Sequence, residues 1–303
     1  MNGLKTGVKS VLWSAVALLL LLSIAVPLLN VFTAVVMMVP TAILYTMLSK
    51  RAFTLHMLVV YVIAVIVLGP PAIIVGLFFL VPSIVMGHLY QKQTAARKVL
   101  TATVLTLLAQ MLLELVLFDV LFNMSLLTEL RKLIQQTVDN LNSQGLLMNS
   151  LSAELTESYI QVLIHSIPMA FITVSFLLAV ITHAIVRPIL RSMKLSVPGL
   201  QPAKDWMLPR IFVFYYLIVL LVDLATPGNN NSFFTVMLLN LVPLMRLAFS
   251  IQAMGFFFYI ADQRKWNKAV PLLLCAVVVI FPPLSLIGVM DAGFPIRKAF
   301  KKP

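Results

Sequence analysis

Two charged side chains interrupt long apolar stretches of the sequence. Glu114 lies in the run 98–121, one helical turn after Gln110, and Arg246 lies near the middle of the run 233–261. A charge at the centre of a bilayer costs at least about 2.5–3.5 kcal/mol on insertion scales, so it faces a partner, a cavity or water. Two interpretations stay open, namely a structural Arg–Glu pair and a site for an anionic or polar ligand.

A second set of polar side chains lies at the start of the run 162–186. Glu157, Gln161 and His165 are four residues apart, so they share one face of a helix. The alternatives are solvated residues at a helix entrance and the lining of an outer binding pocket. His88 and His183 lie near the ends of apolar runs, and we interpret both as interfacial.

Small residues form a stripe along the first apolar segment. They recur at spacings of 4, 3, 4 and 3, which places them on one helix face where a second helix can approach closely. The stripe consists of Gly3, Gly7, Ser10, Ser14 and Ala17. It predicts a contact with another helix of the same chain or with a separate membrane subunit.

Known signatures of catalysis do not occur in the sequence. H-E-x-x-H, G-x-S-x-G and the phosphate-binding G-x-x-x-x-G-K-[ST] are absent, and no histidine shows metal-ligand spacing with another ligand residue. The single cysteine, Cys275, cannot form an internal disulfide. We therefore expect no enzymatic activity, no metal and no cofactor.

The composition is that of an integral membrane protein. The chain is 61% hydrophobic and 11% charged, with a mean hydropathy of +1.03, whereas soluble domains are about 45–50% apolar and about 25% charged. The net charge of +12 comes from residues in short connections between apolar runs. That distribution follows the positive-inside rule, and it speaks against nucleic acid as a partner.

Nine apolar segments approach the roughly 20 residues that a helix needs to cross a bilayer. Pro27 and Asn30 predict a turn between the first two, and Gly69, Pro70 and Pro71 separate the third from the fourth. The sequence therefore predicts an all-α polytopic bundle of eight or nine transmembrane spans. The segments are 10–27, 29–48, 52–69, 71–90, 98–121, 162–186, 209–225, 233–261 and 269–290.

The basic residues predict the orientation of the bundle. With a cytoplasmic N-terminus, the inner connections hold 15 lysines and arginines and the outer ones hold 2. The basic tail conflicts with nine crossings, because Arg297 and Lys298 would then lie outside. Two alternatives would resolve the conflict: Pro282 and Pro283 turn the last segment back, or Pro243 and Arg246 break the eighth.

Residues 122–161 form the one long stretch between spans and are net acidic. Apolar residues at helical spacing predict an amphipathic helix that stops near Gly145, and a second helix is expected to begin near Ser150. The stretch is interpreted as an outer amphipathic helical insert, either a hairpin on the membrane surface or a lid over a cavity. Residues 187–208 form a basic cytoplasmic elbow.

The end of the sequence carries a resemblance to a known family. Gly288-Val289-Met290-Asp291-Ala292-Gly293-Phe294 followed by Arg297, together with Asn240, Gln252 and Gly255, resembles the YybS-like family of uncharacterised bacterial polytopic membrane proteins. Gly69-Pro70 and Gly87-His88-Leu89-Tyr90 also fit its pattern. Ala253 stands between Gln252 and the position where the family has glycine, so that match is loose.

The family is distantly similar to the substrate-binding S-components of energy-coupling-factor transporters. That similarity implies a six-helix membrane core with an outward-facing site and a first helix that docks on a coupling subunit. It implies a division into core helices, the outer insert, a sixth core helix, the elbow, and C-terminal helices with a basic tail. The corresponding ranges are 1–121, 122–161, 162–186, 187–208 and 209–303.

Two functions follow from these features, both for a multi-pass protein of the plasma membrane. The first is a binding subunit of a transporter that borrows its ATPases through a coupling membrane subunit, with Glu114, Glu157, Gln161, His165 and Arg246 as ligand-binding candidates. The second is a non-transporting organiser or regulator that binds a partner through its basic cytoplasmic loops. A ligand-sized polar cavity in the outer half of the bundle would distinguish the two functions.

Overall fold

The computed structural model describes residues 2–122, 125–145, 153–226 and 233–300, and these residues fold entirely into helices and connecting segments. Short 3₁₀ turns occur at Ser23–Ala25, Ala203–Asp205 and Pro282–Leu284. The α-helices are α1 (Asn2–Leu22), α2 (Leu29–Val36), α3 (Met38–Met47), α4 (Lys50–Leu68), α5 (Pro71–Gln91), α6 (Ala96–Phe122), α7 (Leu126–Ser143), α8 (Ala153–His165), α9 (Ile167–Ser192), α10 (Ile211–Ala225), α11 (Phe233–Gln263), α12 (Ala269–Ile280), α13 (Ser285–Gly293) and α14 (Arg297–Phe300).

Seven helical segments of the described chain are long and apolar enough to cross a membrane, and the count is eight if the bent pair α12 and α13 forms one span. Helix α10 is apolar but has 15 residues, which gives a length of about 23 Å against a hydrocarbon core of about 30 Å. The described helices thus provide seven or eight candidate spans, where the sequence predicted eight or nine.

The last apolar segment does not form one straight helix. Helices α12 and α13 are bent by 117° relative to one another at the break that contains Pro282 and Pro283. Proline has no backbone N–H to donate, so two in succession end α12. The structure therefore agrees with the alternative in which these prolines turn the segment. The other alternative is wrong, because α11 continues through Pro243 and Arg246 without a break.

The predicted turns of the N-terminal half are present. Residues 26–28 separate the first two spans, and Leu28 adopts the left-handed region with φ 66°. Helix α4 ends at Gly69, whose φ of 81° is favourable for glycine. Helix α5 then begins with Pro71 at its first position, where a missing N–H is tolerated.

The chain divides into two compact units. Unit 1 comprises Met1–Ser125 and Phe171–Leu200, and its interior is packed by side chains of α1, α3, α4, α5, α6 and α9. One cluster joins Ala42, Met86, Tyr90 and Val186, and another joins Ala17 to apolar residues of α4. Burial of these side chains holds the helices of unit 1 together.

Unit 2 comprises Leu126–Ala170 and Gln201–Pro303. Its apolar cluster contains Tyr216 of α10, Met245 and Phe249 of α11, and Ala292 of α13. Phe249 is completely buried and stacks at a tilt on Tyr216 with 5.1 Å between ring centroids. This cluster supports the segments that carry the candidate site described below.

The predicted insert contains two helices, α7 and α8. Helix α7 ends at Ser143, and Gly145 follows with φ 67°, in agreement with the predicted stop. The expected start of the second helix near Ser150 lies outside the described residues, which resume with α8 at Ala153. Helix α8 ends at His165, and α9 runs from Ile167 to Ser192, so the predicted sixth segment 162–186 is interrupted at Ser166 instead of forming one helix.

Candidate functional site

A buried ion pair stands at the centre of unit 2. The Asp291 side chain is fully buried, and the Arg297 side chain is 14% exposed. Arg297 Nη2 donates to Asp291 Oδ2 at 2.7 Å, and Arg297 Nε donates to Asp291 Oδ1 at 2.9 Å. Gln252 of α11 donates from Nε2 to the same carboxylate. Charge-assisted, two-pronged bonds of this kind are the strongest hydrogen bonds in proteins.

The same side chains hold the backbone that follows Gln201. Arg297 donates to the carbonyl oxygens of Lys204 and Trp206, each at 2.7 Å. Gln252 Oε1 accepts the N–H of Leu208 at 2.8 Å. Backbone groups of a loop have no partners within a helix or strand, so side chains must supply their hydrogen bonds when the loop is buried. We call Gln252, Asp291, Arg297 and these backbone groups the Asp291 network.

Two glycines allow the close approach on which the network depends. A Cβ on Gly255 would lie 3.0 Å from the carbonyl oxygen of Ala203, so glycine lets the loop lie directly on α11. A Cβ on Gly288 would overlap the carbonyl oxygen of Phe249, so α13 packs backbone to backbone against α11. Small residues permit such approaches between helices.

A groove is lined in part by Lys204, whose backbone carbonyl belongs to the Asp291 network. It measures about 630 Å³, and its walls include Lys204, Phe258, Asp262, Lys265, Trp266, Lys268 and Leu272. We call it the lysine groove. Lys204 Nζ lies 3.0 Å from Asp262 Oδ2, and the hydrogen bond to this carboxylate raises the pKa of the Lys204 ammonium.

The end of α11 gives the lysine groove its shape. Lys265 adopts the left-handed region with φ 54°, and the N–H groups of Lys265 and Trp266 donate to the carbonyls of Asp262 and Ala261. These two bonds form a Schellman motif, which ends a helix and reverses the chain. The turn places Lys268 immediately before α12.

A second depression includes the Asp291–Arg297 pair in its lining. It measures about 340 Å³, and Met207, Arg210, Phe294, Lys298 and the ion pair itself contribute to its lining. We call it the tail pocket. Phe294 is 61% exposed and Met207 is 54% exposed. The Arg210 and Lys298 residues are also exposed. Exposed aromatic, methionine and arginine side chains are typical of protein interfaces.

The predicted membrane-embedded charges make none of the bonds of the Asp291 network. Glu114 is half-buried on α6 in unit 1, and Arg246 is exposed on α11 in unit 2. Among the described residues of its own unit, neither has an ion-pair partner. The buried ion pair of the structure is instead Asp291 with Arg297. The sequence did not predict either residue as a site residue.

The structure brings together part of the predicted outer set. Gln161 donates to Glu157 Oε1 at 2.9 Å, and Arg131 of α7 pairs with the same carboxylate at 2.8 Å. The hydrogen bond from Gln161, followed by that from Arg131, lowers the pKa of the Glu157 carboxyl. These contacts join α7 to α8, so Glu157 and Gln161 are already bonded within the hairpin.

His165, the third residue of the predicted outer set, forms a hydrogen bond through its backbone carbonyl. Asn240 of α11 donates to the carbonyl oxygen of His165 at 2.7 Å and accepts the N–H of Met169 at 2.8 Å. In a continuous helix these two groups would bond to one another. The Asn240 amide thus replaces the missing helical bond at the break between α8 and α9.

The stripe of small residues packs partly within unit 1. Ser10 and Ala17 are buried, and Ser14 Oγ lies 2.9 Å from Nδ1 of His56. Gly7 is exposed, and a Cβ there would meet nothing within 4 Å. The side-chain position of Gly3 lies outside the described residues. Among the stripe residues whose surroundings the structure describes, Gly7 is the one that is fully open to a neighbouring helix.

One histidine is buried inside unit 1 and bonded to a tyrosine. His183 is 4% exposed, and its Nδ1 lies 2.6 Å from the hydroxyl of the fully buried Tyr90. His183 is therefore packed inside unit 1, where Tyr90 of α5 bonds to it, and its location near a membrane interface stays a prediction. Sequence spacing gave no signal, since the two residues are 93 positions apart.

Comparison with known families agrees with the helical, apolar architecture. Residues 14–292 match the family described as Predicted membrane protein (DUF2232). The chain belongs to this family. The DUF2232 match covers most of both units, including Gln252, Gly288 and Asp291, and it ends just before Arg297.

A curated bacterial protein is similar to this DUF2232 chain over nearly its full length. "Uncharacterized protein YybS" of Bacillus subtilis (strain 168) is 21% identical over 302 residues, covering 96% of this chain and 97% of the relative. The resemblance to the YybS-like family is thereby confirmed. No solved structure shows a significant match to the chain.

Proposed function

We propose that the chain is a non-catalytic organiser or regulator of the plasma membrane that binds an acidic protein segment in the tail pocket. Its N-terminus and its basic connections lie in the cytoplasm in this proposal, as the positive-inside rule predicts. The supporting observation is the tail pocket itself, whose lining combines exposed Phe294 and Met207 with the basic side chains of Arg210 and Lys298.

The chemistry of the tail pocket favours a protein segment as its occupant. Phe294 offers a large apolar surface at little entropic cost, because it has only two side-chain torsions. Arg210 and Lys298 carry positive charge at the rim, which accelerates encounter with an acidic partner. The buried ion pair holds the floor of the pocket in one conformation, so little ordering is needed when the partner binds.

A small apolar cavity in unit 1 favours an organiser over a solute transporter. A cavity between α1, α4 and α5 measures about 20 Å³, and apolar side chains such as Met57 and Phe79 line it. Ligand sites are usually about 300–1,000 Å³ in volume. The polar pair Glu157 and Gln161 is bonded within its own hairpin.

Photo-crosslinking in living cells tests the proposal. A benzophenone amino acid at Phe294 should crosslink one defined protein, whereas the same group at the exposed Phe214 of α10 should not. The variant Arg210→Gln/Lys298→Gln should reduce the Phe294 crosslink several-fold. Charge removal at the exposed Lys50 and Arg51 should leave it unchanged. Equal crosslinking at Phe294 and Phe214, or an unchanged yield in the variant, would refute docking at the tail pocket.

A second candidate function, a transporter binding subunit, is favoured by one observation. Six of the seven long apolar segments lie wholly or mostly in unit 1, the number of helices in an S-component-like core. In this reading the exposed start of α1 docks on a coupling membrane subunit with ATPases, and Gly7 lies at the contact.

The second candidate predicts a specific effect at Gly7. Gly7→Leu should abolish co-purification of a coupling membrane subunit from gently solubilised native membranes, because the larger side chain holds the helices apart. Gly7→Ala should retain it, and both variants should insert normally, since a Cβ at Gly7 meets nothing within 4 Å. Undiminished recovery of the coupling subunit with Gly7→Leu would contradict docking through α1.

A further inference from the structure

We infer that the lysine groove binds an anionic phospholipid, with the phosphate at Lys265 and Lys268 and an acyl chain along Phe258 and Leu272. This site is separate from the tail pocket and goes beyond the proposed function. All of its walls belong to unit 2, and its volume of about 630 Å³ admits a headgroup with part of a chain.

The charge of the groove favours a phosphate. The lining contains Lys204, Lys265 and Lys268 and one carboxylate, Asp262, which is bonded to Lys204; Asp205, near Lys204, is not part of the lining. Among the residues that the structure describes, Lys265 and Lys268 form no ion pair. Helix α12 begins at Ala269, so the positive end of its dipole adds to the field of Lys268.

The apolar side chains at the α12 side of the lysine groove favour a phospholipid over a soluble phosphate ester. Leu272 is 60% exposed, and the next residue of α12, Leu273, is 67% exposed. The groove therefore continues onto a helix whose apolar side chains face outward, as expected of a surface in contact with acyl chains. A free phosphate ester would gain nothing from that surface.

Trp266 supports a location at the membrane boundary. It lines the groove and is 44% exposed. Tryptophan is enriched where the hydrocarbon meets the headgroups, and basic pockets between transmembrane helices at this depth bind acidic lipid headgroups. Lysines, an exposed tryptophan and an apolar wall thus occur together in one groove, which is the combination expected where a phospholipid places its phosphate.

Titration of the full-length protein in neutral micelles tests the inference. Fluorescent phosphatidylglycerol should bind saturably, and phosphatidylcholine with the same chains should bind more weakly. Lys265→Gln/Lys268→Gln should weaken phosphatidylglycerol binding roughly 30-fold, because each lysine near an anionic surface contributes about 1 kcal/mol. The matched control Lys50→Gln/Lys92→Gln removes two exposed charges elsewhere and should bind as the unmodified protein does.

A second measurement locates the lipid. Phosphatidylglycerol with brominated chains should quench part of the tryptophan fluorescence, and Trp266→Phe should abolish that part. Equal affinity for the two lipids, an unchanged affinity of the lysine variant, or unchanged quenching in Trp266→Phe would overturn the inference. Effective competition by glycerol phosphate would assign the groove to a soluble phosphate ester instead. The variant Arg210→Gln/Lys298→Gln should keep its lipid binding. Failure of the proposed protein docking at the tail pocket is therefore distinguishable from failure of lipid binding in the lysine groove.

Discussion

Replacing Arg297 by leucine is expected to lower the free energy of unfolding by about 3–5 kcal/mol. The substitution leaves the fully buried Asp291 carboxylate without its cation, and breaking one side of a buried ion pair has a cost of this size. It also removes the donors to the carbonyls of Lys204 and Trp206. Denaturant titration in mixed micelles, followed by tryptophan fluorescence, measures the change.

Two further variants show whether the buried, unpaired charge causes the expected loss of stability in Arg297→Leu. Asp291→Leu/Arg297→Leu removes both charges and should be more stable than Arg297→Leu, because apolar replacement of a whole buried pair is often tolerated. Arg131→Leu breaks the exposed pair with Glu157 and should cost far less, since solvent already screens that pair. Similar losses in Arg297→Leu and Arg131→Leu would contradict the role of the buried pair.

Gly288→Val is expected to destabilise the protein by about 3 kcal/mol, at the upper end of the usual range for overpacking. A Cβ at Gly288 would overlap the carbonyl oxygen of Phe249 and would lie 2.9 Å from the backbone N of Ala253. Backbone atoms of α11 cannot rotate away as a side chain can, so α13 would have to move. The Asp291 carboxylate on α13 would then shift away from Gln252 and Arg297.

The matched control for Gly288 is Gly7, which also lies in a helix. Gly7→Val should be close to neutral, because a Cβ there meets nothing within 4 Å and valine has a better helix propensity than glycine. The midpoint of thermal aggregation in detergent compares the two variants. A loss at Gly288 no greater than that at Gly7 would show that α11 and α13 are not packed backbone to backbone.

Local breaks in the chain could be predicted well from sequence. Gly69 with Pro70 and Pro71, and the turn before Leu29, act through the conformations of neighbouring residues, so a short stretch contains the whole signal. Gly145 ended its helix for the same reason. The bend at Pro282 and Pro283 remained one of two alternatives, because a proline inside a membrane helix, such as Pro243, is also compatible with a continuous helix.

The candidate site was harder to predict than the helices. The sequence pointed to Asp291 only through a family resemblance, and to Arg297 through that resemblance and as a charge of the basic tail. Glu114 and Arg246 were chosen as candidate site residues because they interrupt apolar runs. Spacing along one helix correctly placed Gln161 beside Glu157, but it did not show that Arg131 from α7 would bond to the same carboxylate. An acidic residue in an apolar run, followed six residues later by arginine, was the signal that could have revealed the pair.

The sequence by itself determined that the chain is a helical membrane protein and where most of its helices begin and end. Those properties depend on hydrophobic content and on backbone preferences, which are local. Only the tertiary structure decided that Asp291 pairs with Arg297, that Tyr90 meets His183, and that Lys204 shares a groove with Lys265. Each of these pairings depends on which backbones approach closely in space, and glycines at positions such as 255 and 288 control that approach through contacts with residues distant in sequence.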